Sequence, residues 1–539
     1  MAVTSASQTQ PKTQPGVTNS QAVALSHAAN EFVFAVVGHV GSGTSEIARQ
    51  LEALLQERTL HGQKFQTRII KARRVIEDWA SAAGHPLPDR EKATLEAVGG
   101  FQDLGDLMRR ETKDNAAVAK DLIVQVRSSR AEMLGIEDIG DGPIEPDGMP
   151  RAYILDSIRH PAEVALLRHI YQDAFILIGV VCEENVRVDR ICRHYKDAGE
   201  ERAREFMRRD AKAKETFGQR TSDAFHLADF FVDNTTSRTI VDDTGQNERD
   251  NEKWEVAEKL SRLVRIICHD GVVRPEIPET AMHHAHGARM RSACLSRQVG
   301  AAIVDWQGNI LATGTNEVPR AGGGVYGERF VPDHEDNRCA FRDSVFCSNT
   351  REQNEIISEV IDEIPQLSDV EGEPRAKLVG DLRDGRIGDL LEFSRAVHAE
   401  MDAMLSAARS GAAIHAARLF VTTFPCHYCA RHVISAGIDE VQFIEPYPKS
   451  AAFKLHSDAI QVTSDGWMAP SDGGNKVLFR PFSGVAPRLY RRAFLKDREL
   501  KNDRTGDLQI GEPDWGSPWH LRKASYVQLE ARLAAPETA

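Results

Sequence analysis

Apolar and polar positions follow strand-like and helix-like periods along the first 241 residues. Residues 1–29 are rich in Ala, Ser, Thr, Gln and Pro with little periodicity, and we predict a disordered tail there. The apolar run at 31–37 is typical of a buried parallel strand. Strands that alternate with helices indicate a parallel sheet, so residues 30–241 are predicted to form one α/β domain. Its further elements are helices at about 45–57, 162–171 and 185–215 and strands at about 152–156, 174–181 and 230–234.

A wholly polar segment follows this domain. Residues 242–253 contain no apolar residue, and we predict a linker there. Residues 254–462 are predicted to form a second domain, in which 319–392 is a long polar insertion. Residues 463–539 are rich in Gly, Pro, Arg and Asp, which indicates a loosely packed extension, with an oligomer arm as one interpretation. The elements predicted in the second domain are helices at about 254–268, 398–410 and 426–436 and strands at 300–305, 310–315, 419–423 and 440–444.

Composition narrows the class of protein. The 539 residues are 41% hydrophobic and 27% charged, which is typical of a soluble globular chain of several domains. The sequence has no membrane-length apolar run and no secretory signal pattern, so a cytoplasmic location is expected. The net charge of −13 argues against long nucleic acid as the substrate, because phosphate backbones are held mainly by Lys and Arg. A small phosphorylated substrate needs only a few local cations.

The spacing of the cysteines matters more than their number. Eight cysteines are too few for a disulfide framework in a chain of this length. Cys426 and Cys429 form a C-x-x-C pair, which indicates a metal or redox site. The remaining cysteines are scattered, at positions 182, 192, 268, 294, 339 and 347.

A His-x-Glu sequence precedes this pair and completes a set of metal ligands. His398 and Glu400 open one predicted helix, and Pro425 precedes the cysteines that open the next. Zinc favours nitrogen and sulfur ligands in a tetrahedral arrangement, and a catalytic site leaves one position for water. Residues three apart at a helix start face the same side, where the helix dipole favours thiolates. The order H-x-E…P-C-x-x-C is the signature of zinc deaminases.

These residues suggest a hydrolytic mechanism. We predict that His398, Cys426 and Cys429 bind Zn²⁺, and that Glu400 carries protons from the attacking water to N3 and the leaving amine of cytosine. A structural zinc site or a chance C-x-x-C is the alternative. Structural sites usually close with a fourth Cys or His, whereas here a carboxylate follows the histidine by two residues.

Several segments around this motif resemble the deoxycytidylate deaminase branch of the cytidine deaminase superfamily. The resemblance covers about residues 280–450. It implies a mixed sheet covered by helices, with zinc between two helix starts, and oligomers, often hexamers, that deoxynucleoside triphosphates regulate. The segments that carry it are 291–304, 314–319, 398–401, 421–426, 436–438 and 445–447.

The resemblance also assigns substrate contacts. It implies that Asn316 contacts the sugar or base and that Thr422 lies near the pocket. Tyr428 is either a pocket residue or an exposed aromatic beside the metal. Asp402 stands where the family commonly has Asn. Some members bind a second, structural zinc with a cysteine at the place of Cys294. Candidate partners here are Cys339, Cys347 and His334, and buried free cysteines are the other interpretation.

A glycine-rich segment at 38–45 follows the first strand and opens a helix. It matches the P-loop pattern G-x-x-x-x-G-K-[ST] except that Thr44 replaces the lysine. Backbone amides at a helix start can still hold a phosphate, and Ser45 could reach Mg²⁺ of a nucleotide. Because the lysine supports phosphoryl transfer, we favour nucleotide binding for regulation over kinase activity, with a degenerate scaffold as the alternative. The predicted nucleotide-binding residues are Gly38, Gly41, Gly43, Thr44, Ser45 and Asp156, the last in the position of a Walker-B carboxylate.

The N-terminal half resembles a nucleotide kinase in two further places. Residues 156–161 look like a nucleoside kinase element, and residues 208–210 (Arg-Arg-Asp) stand where such kinases have a basic lid. For these arginines we favour the alternative of a solvated charged helix. A P-loop kinase-like parallel-sheet domain followed by a deaminase domain resembles bacterial anti-phage deoxycytidylate deaminases. These enzymes deplete the deoxycytidine nucleotides that phage DNA synthesis needs.

The sequence therefore predicts deamination of free dCMP, dCTP or both. Two alternatives remain: a deaminase that acts on tRNA or single-stranded DNA, and a nucleotide-binding switch whose deaminase domain is a passive scaffold.

Overall fold

The computed structural model of the chain describes residues 28–60, 62–89, 93–211, 217–241, 248–327, 335–390, 393–447, 450–495, 499–509 and 521–535. Most of the predicted tail lies outside these ranges. Its last two residues form strand β1 (Ala28–Ala29), which pairs antiparallel with the C-terminal strand β18 (Leu521–Arg522). The prediction of disorder is wrong for these two residues, because a distant segment supplies their hydrogen-bond partners.

A six-stranded sheet organises the N-terminal half. Strand β2 has seven consecutive buried residues and lies in the middle, as its apolar sequence predicts. The strand order is β17-β8-β7-β2-β6-β5, and every pair is parallel except β17 with β8. The strands are β2 (Glu31–Val37), β5 (Gln66–Lys71), β6 (Arg151–Ile158), β7 (Phe175–Val181), β8 (Phe230–Asp233) and β17 (Gly484–Val485), and a separate hairpin is formed by β3 (Thr59–Leu60) and β4 (Gln63–Lys64).

Helices surround this sheet. The helix predicted at 185–215 is two helices, α6 and α7, with a break that contains Gly199. Helix α5 begins where predicted because His160 accepts a hydrogen bond from the backbone of Ala162 while Glu163 bonds back to the His160 backbone. The helices are α1 (Thr44–Gln56), α2 (Ala72–Ala82), α3 (Leu95–Thr112), α4 (Ala117–Leu134), α5 (Pro161–Tyr171), α6 (Glu184–His194), α7 (Glu200–Ala211) and α8 (Thr221–Phe225).

The predicted linker contains regular structure in its described part. Strand β10 (Glu248–Asp250) pairs antiparallel with β9 (Thr239–Val241), and residues 242–247 lie outside the described ranges. The linker assignment stays a prediction, and its residues 248–250 form a strand through backbone hydrogen bonds.

A second six-stranded sheet organises the residues that follow. Its order is β12-β11-β13-β14-β16-β15, in which β11 pairs antiparallel with both neighbours and the remaining pairs are parallel. The insertion predicted only as polar contains two helices, α11 and α12. The elements are α9 (Val256–Ile267), α10 (Ile277–Arg289), β11 (Gly300–Val304), β12 (Ile310–Thr315), α11 (Ser348–Glu363), α12 (Gly372–Arg383), α13 (Ala399–Ser410), β13 (Arg418–Thr423), α14 (His427–Ser435), β14 (Glu440–Glu445), α15 (Ala452–Leu455), β15 (Ile460–Gln461) and β16 (Val477–Pro481).

The C-terminal segment connects the two sheets. Strand β16 belongs to the second sheet, and β17, a few residues later, extends the first. Helices α16 (Pro487–Phe494) and α17 (Lys523–Ala534) complete the chain's described elements. The predicted extension nevertheless contains buried residues in all four of these elements, among them Phe479, Val485, Leu489 and Tyr526. The segments are too short to show periodicity, and only tertiary contacts reveal which of their residues are buried.

The hydrophobic core is continuous between the two halves. One cluster contains Phe231 of the first sheet, Ala285 of α10 and Phe420 of the second sheet, together with Phe482 of the connecting segment. The architecture is thus mixed α/β with mainly parallel sheets. The kinase-like assignment of the N-terminal half stays a prediction. Among the described residues, no helix combines the length and apolar character needed to cross a membrane.

A buried ionic network joins the last helix to the N-terminal sheet. Arg130 of α4 is fully buried and contacts Glu530 of α17 at 2.5 Å and Glu31 of β2 at 2.7 Å. The hydroxyl groups of Tyr171 and Tyr526 donate to the same two carboxylates. Every charge in this network has a partner, which burial requires.

Replacing Glu530 with Ala should lower the free energy of unfolding by about 3–5 kcal/mol, because Arg130 loses a charged partner in an apolar environment. The urea midpoint, followed by circular dichroism, measures this. Gln528→Ala is the matched control, since Gln528 lies on the same helix and is exposed. Equal midpoints for the two variants would contradict the assigned role of the network.

Candidate active site

Helix α13 carries His398 at its N-cap and lies directly on strand β12. A Cβ atom at Gly314 would come within 2.2 Å of the Ala399 carbonyl oxygen, so only glycine permits this approach. Asp402 accepts a hydrogen bond of 3.0 Å from the backbone N–H of Thr315. An Asn side chain can accept the same bond, which accounts for either residue at this position. These contacts fix the N-terminus of α13 against the sheet.

Helix α14 brings the two cysteines to the same point. Cys426 is its N-cap, and Cys429 lies in its first turn. Nδ1 of His398 is 3.3 Å from the sulfur of Cys426 and 3.3 Å from the sulfur of Cys429. All three potential ligand atoms lie within 4.8 Å of one another. The structure therefore assembles the three metal ligands that the sequence predicts.

The geometry of this cluster fits zinc. Tetrahedral bonds of about 2.0–2.1 Å to nitrogen and 2.3 Å to sulfur separate the two ligand atoms by roughly 3.5 Å. The observed separations of 3.3 Å are close to that value. One imidazole and two sulfurs form the kind of three-ligand set that catalytic zinc sites use. Among the described residues, this is the one group of His, Cys, Asp or Glu side chains with metal-binding geometry.

Glu400 and the thiols have shifted proton affinities. Glu400 is 3% exposed, and burial raises its pKa to about 7. The pKa of Cys426 is lowered to about 4, mainly by a hydrogen bond from Cys429 and further by a hydrogen bond from His398. Burial of Cys426 acts in the opposite direction. Cys426 is thus disposed to be a thiolate, the form that binds metal.

A cavity of about 540 Å³ opens onto this cluster. Its lining includes His398, Glu400 and Cys426, and residues of the insertion, among them Gln353 of α11, form another part of its wall. Volumes of about 300–1,000 Å³ are typical of sites for small molecules. The insertion thus helps to enclose the cavity.

The three predicted substrate contacts have different positions. Asn316 lines the cavity, but its amide oxygen accepts from Val299 N–H at 2.6 Å and its amide nitrogen donates to the Arg297 carbonyl at 2.6 Å. The hydroxyl of Thr422 accepts from Gly300 N–H at 3.1 Å. The cavity lining within the described residues includes neither Thr422 nor Tyr428, and the substrate contacts of these two residues stay predictions.

Three further cysteines line the cavity without forming a second metal site. Cys294, Cys339 and Cys347 all belong to its wall, but within the described part of the chain they are not members of a group of three ligand atoms as close together as those of His398, Cys426 and Cys429. His334, the remaining candidate, lies outside the described residues.

Sequence reasoning missed the cations of the cavity. Arg297, Arg383 and Arg395 line it. Arg297 lies over the ring of Tyr447, 5.4 Å from its centroid, and 3.8 Å from a carboxylate oxygen of Glu445. Arg297 stands within one of the segments that resemble the deaminase family, which was the available signal. Arg383 lies in the insertion and Arg395 lies just after it. No sequence pattern in either place indicates that these side chains approach the metal-binding cluster.

The glycine-rich segment at 38–45 forms a turn between β2 and α1. Gly43 has φ +88°, and a Cβ atom there would lie 2.4 Å from the amide nitrogen of Asn234. The hydroxyl of Ser45 donates to the carboxylate of Asp156 at 2.6 Å, so two predicted nucleotide-binding residues meet. Gly38, Gly41 and Thr44 lie in the same turn and first helical position. In the predicted lid, Arg209 pairs with Asp103 of α3, and it is Asp210 that contacts the loop.

Comparison with known proteins agrees with this geometry. A sequence model described as "Cytidine and deoxycytidylate deaminase zinc-binding region" matches residues 275–445. The deoxycytidylate deaminase of Enterobacteria phage T4 is 28% identical over 178 residues, which are 32% of this chain and 79% of that protein. Its counterpart from Enterobacteria phage T2 is 29% identical over 173 residues, 32% of this chain and 81% of that protein.

A solved dCMP deaminase from the cyanophage S-TIM5 aligns with 39% of this chain and 100% of its own length, at 19% identity and a TM-score of 0.21. The matched segment contains every residue of the metal cluster, and its His, Glu and Cys positions stand in the family's order. Residues 275–445 of this chain are therefore similar to the zinc-binding region of cytidine and deoxycytidylate deaminases.

Proposed function

We propose that the chain hydrolyses free deoxycytidine nucleotides, dCMP, dCTP or both, to deoxyuridine nucleotides and ammonia. The observation that carries the proposal is a complete His–Cys–Cys ligand set beside Glu400 on a small-molecule cavity that contains three arginines. The phage relatives, named as deoxycytidylate deaminases, support the same substrate class.

The residues of the cavity divide the chemistry between them. His398, Cys426 and Cys429 would hold Zn²⁺, which acts as a Lewis acid and makes a water molecule a better nucleophile. Water adds to C4 of cytosine, and the bond from C4 to the exocyclic nitrogen breaks. Glu400 takes a proton from the water and delivers protons to N3 and to the departing amine, so that ammonia leaves and uracil remains. Burial of Glu400 keeps bulk water from competing for these protons.

A free nucleotide fits this site better than a nucleic acid strand. Side chains of the insertion, including Gln353 and Arg383, bound the cavity. The chain's net charge of −13 provides little general attraction for a phosphate backbone. Local positive charge is nevertheless present on the wall, where Arg297 and Arg395 join Arg383. These arginines are suited to bind the phosphates of a nucleotide whose base reaches Glu400.

The glycine-rich loop is proposed to bind a nucleotide, with Mg²⁺ at Ser45 and Asp156, and so to regulate the deaminase. Support comes from packing, because α1 follows the loop and shares a hydrophobic cluster with α9, which opens the deaminase half. Hydrogen bonds also connect the loop to the residues before α9. Asn234 donates to the Ser42 carbonyl at 2.9 Å and accepts from the Trp254 indole at 3.1 Å.

We propose that this reaction serves defence against phage. Consumption of deoxycytidine nucleotides in the cytoplasm, by a regulated homo-oligomer, would deprive a phage of DNA precursors. This defence role rests on the resemblance in domain arrangement, and its trigger is the nucleotide signal proposed for the loop.

Cys429→Ala should lose its zinc, because two remaining ligands bind the metal far more weakly than three. Atomic absorption of the purified protein measures the zinc content per chain. Cys294→Ala is the matched control, since Cys294 lines the cavity outside the ligand set. Full zinc content in Cys429→Ala would exclude this residue as a ligand.

The wild-type chain should release ammonia from dCMP or dCTP, and Glu400→Gln should retain zinc and lower kcat by about 10²–10⁴-fold, the usual contribution of a general acid–base group. An ammonia assay with dCMP, dCTP and a cytosine-containing oligonucleotide measures this. Activity on the oligonucleotide alone would favour the nucleic acid alternative. No activity on any of the substrates, in zinc-loaded protein, would favour the passive scaffold.

Arg297→Ala should raise KM for the nucleotide about tenfold or more, because a charge-assisted hydrogen bond to phosphate contributes roughly 1.5–3 kcal/mol. The KM for deoxycytidine, which has no phosphate, should not change. Steady-state kinetics with both substrates separates these effects. Arg291→Ala controls for loss of an exposed arginine nearby, since Arg291 lies outside the cavity lining. A parallel loss for nucleoside and nucleotide would show that Arg297 does not contact phosphate.

A further inference from the structure

The glycine-rich loop holds one of the protein's own carboxylates. The backbone N–H of Val40 donates to Asp210 at 2.8 Å, and Asp210 is fully buried. Asp210 lies at the end of α7, far along the chain from the loop. Backbone amides of such a loop are anion donors, and a carboxylate is the anion they bind here.

Two arginines supply positive charge near the loop, where the P-loop pattern has a lysine and this chain has Thr44. Nη1 of Arg159 lies 2.5 Å from Asp210 and 3.3 Å from the carbonyl oxygen of Gly38. Nη1 of Arg187 lies 3.5 Å from the carbonyl oxygen of Val40, and its Nε is buried with no hydrogen-bond partner. Both guanidinium groups therefore lie at the loop, in reach of an anion larger than a carboxylate.

Polar atoms around the loop lack the partners that burial demands. Ser42, in the loop itself, is 1% exposed, and its hydroxyl has no hydrogen-bond partner. That hydroxyl points across the turn, because a Cβ atom at Gly38 would lie 2.5 Å from it. The amide oxygen of Gln102 is also buried without a partner, while its nitrogen lies 3.5 Å from Asp210. A polar ligand at the loop would supply partners for both groups.

We propose that this loop binds the phosphates of a nucleoside polyphosphate through Arg159 and Arg187, and that the phosphates take the place of the Asp210 carboxylate. This site deepens the proposed regulatory role of the loop and rests on it. In the described state the loop amide and Arg159 are both satisfied by Asp210. Binding exchanges one anion for another and frees the end of α7, so occupancy of the loop and the position of α7 are linked.

The test uses inorganic triphosphate and the full-length zinc-loaded chain in isothermal titration calorimetry. Asp210→Asn should bind triphosphate about ten- to a hundredfold more tightly than the wild type, because the ligand no longer displaces a charged competitor. Adding Arg159→Ala or Gly43→Ala to Asp210→Asn should remove that gain. Asp223→Asn, which alters an aspartate paired with Arg220 outside the loop, should leave the affinity unchanged.

Equal or weaker binding by Asp210→Asn, or tight binding that survives Gly43→Ala, overturns the proposal. Hydrogen exchange in the wild type gives a second measurement that needs no variant. Saturating triphosphate should accelerate exchange at the end of α7, and unchanged exchange also overturns the proposal. Ammonia release from dCMP is measured on the same preparations. Deamination without triphosphate binding refutes this site alone, whereas triphosphate binding without deamination refutes the proposed enzyme activity and leaves the site standing.

Discussion

One imidazole and two sulfurs must reach a single point, although they lie on two helices separated in sequence. The structure meets this constraint by placing the N-termini of α13 and α14 side by side, so that His398 and Cys426 are both N-cap residues. Gly314 permits the close approach of α13 to β12, and the hydrogen bond from the Thr315 N–H to Asp402 holds the helix there. Small errors in that packing would separate the ligands, because zinc accepts only a narrow range of distances.

The two halves of the chain are connected more closely than a pair of tethered domains. The C-terminal segment contributes β16 to one sheet and β17 to the other, and α17 closes over the N-terminal sheet through a buried ionic network. Glu279 of α10 bonds to the backbone of Val485 within β17 at 2.8 Å. A shift of β17 in the first sheet would therefore act directly on α10, which covers the second sheet. Such contacts can couple the glycine-rich loop to the metal-binding cluster.

The positive charge near the glycine-rich loop comes from other elements of the fold, and this bears on the role proposed for the loop. The usual lysine is replaced by Thr44, so charge near the loop amides comes from arginines on other elements. A buried carboxylate balances one of them. Phosphoryl transfer needs a cation that contacts the transferred phosphoryl group. Binding of a phosphate needs only backbone amides and nearby positive charge. Such a site is better suited to sensing a nucleotide than to reacting with it.

The sequence alone determined what depends on local order. Apolar runs predicted β2 and β7, helical periodicity predicted α1 and α5, and the motif around His398 predicted both the ligand set and the reaction class, because hydrogen-bonding period and ligand spacing are short-range properties. Tertiary structure decided the rest. Contacts between distant residues decide where the C-terminal segment packs, which arginines line the cavity, and that Asp210 of α7 contacts the glycine-rich loop. Burial of short, charged or aperiodic segments leaves no pattern in the sequence itself.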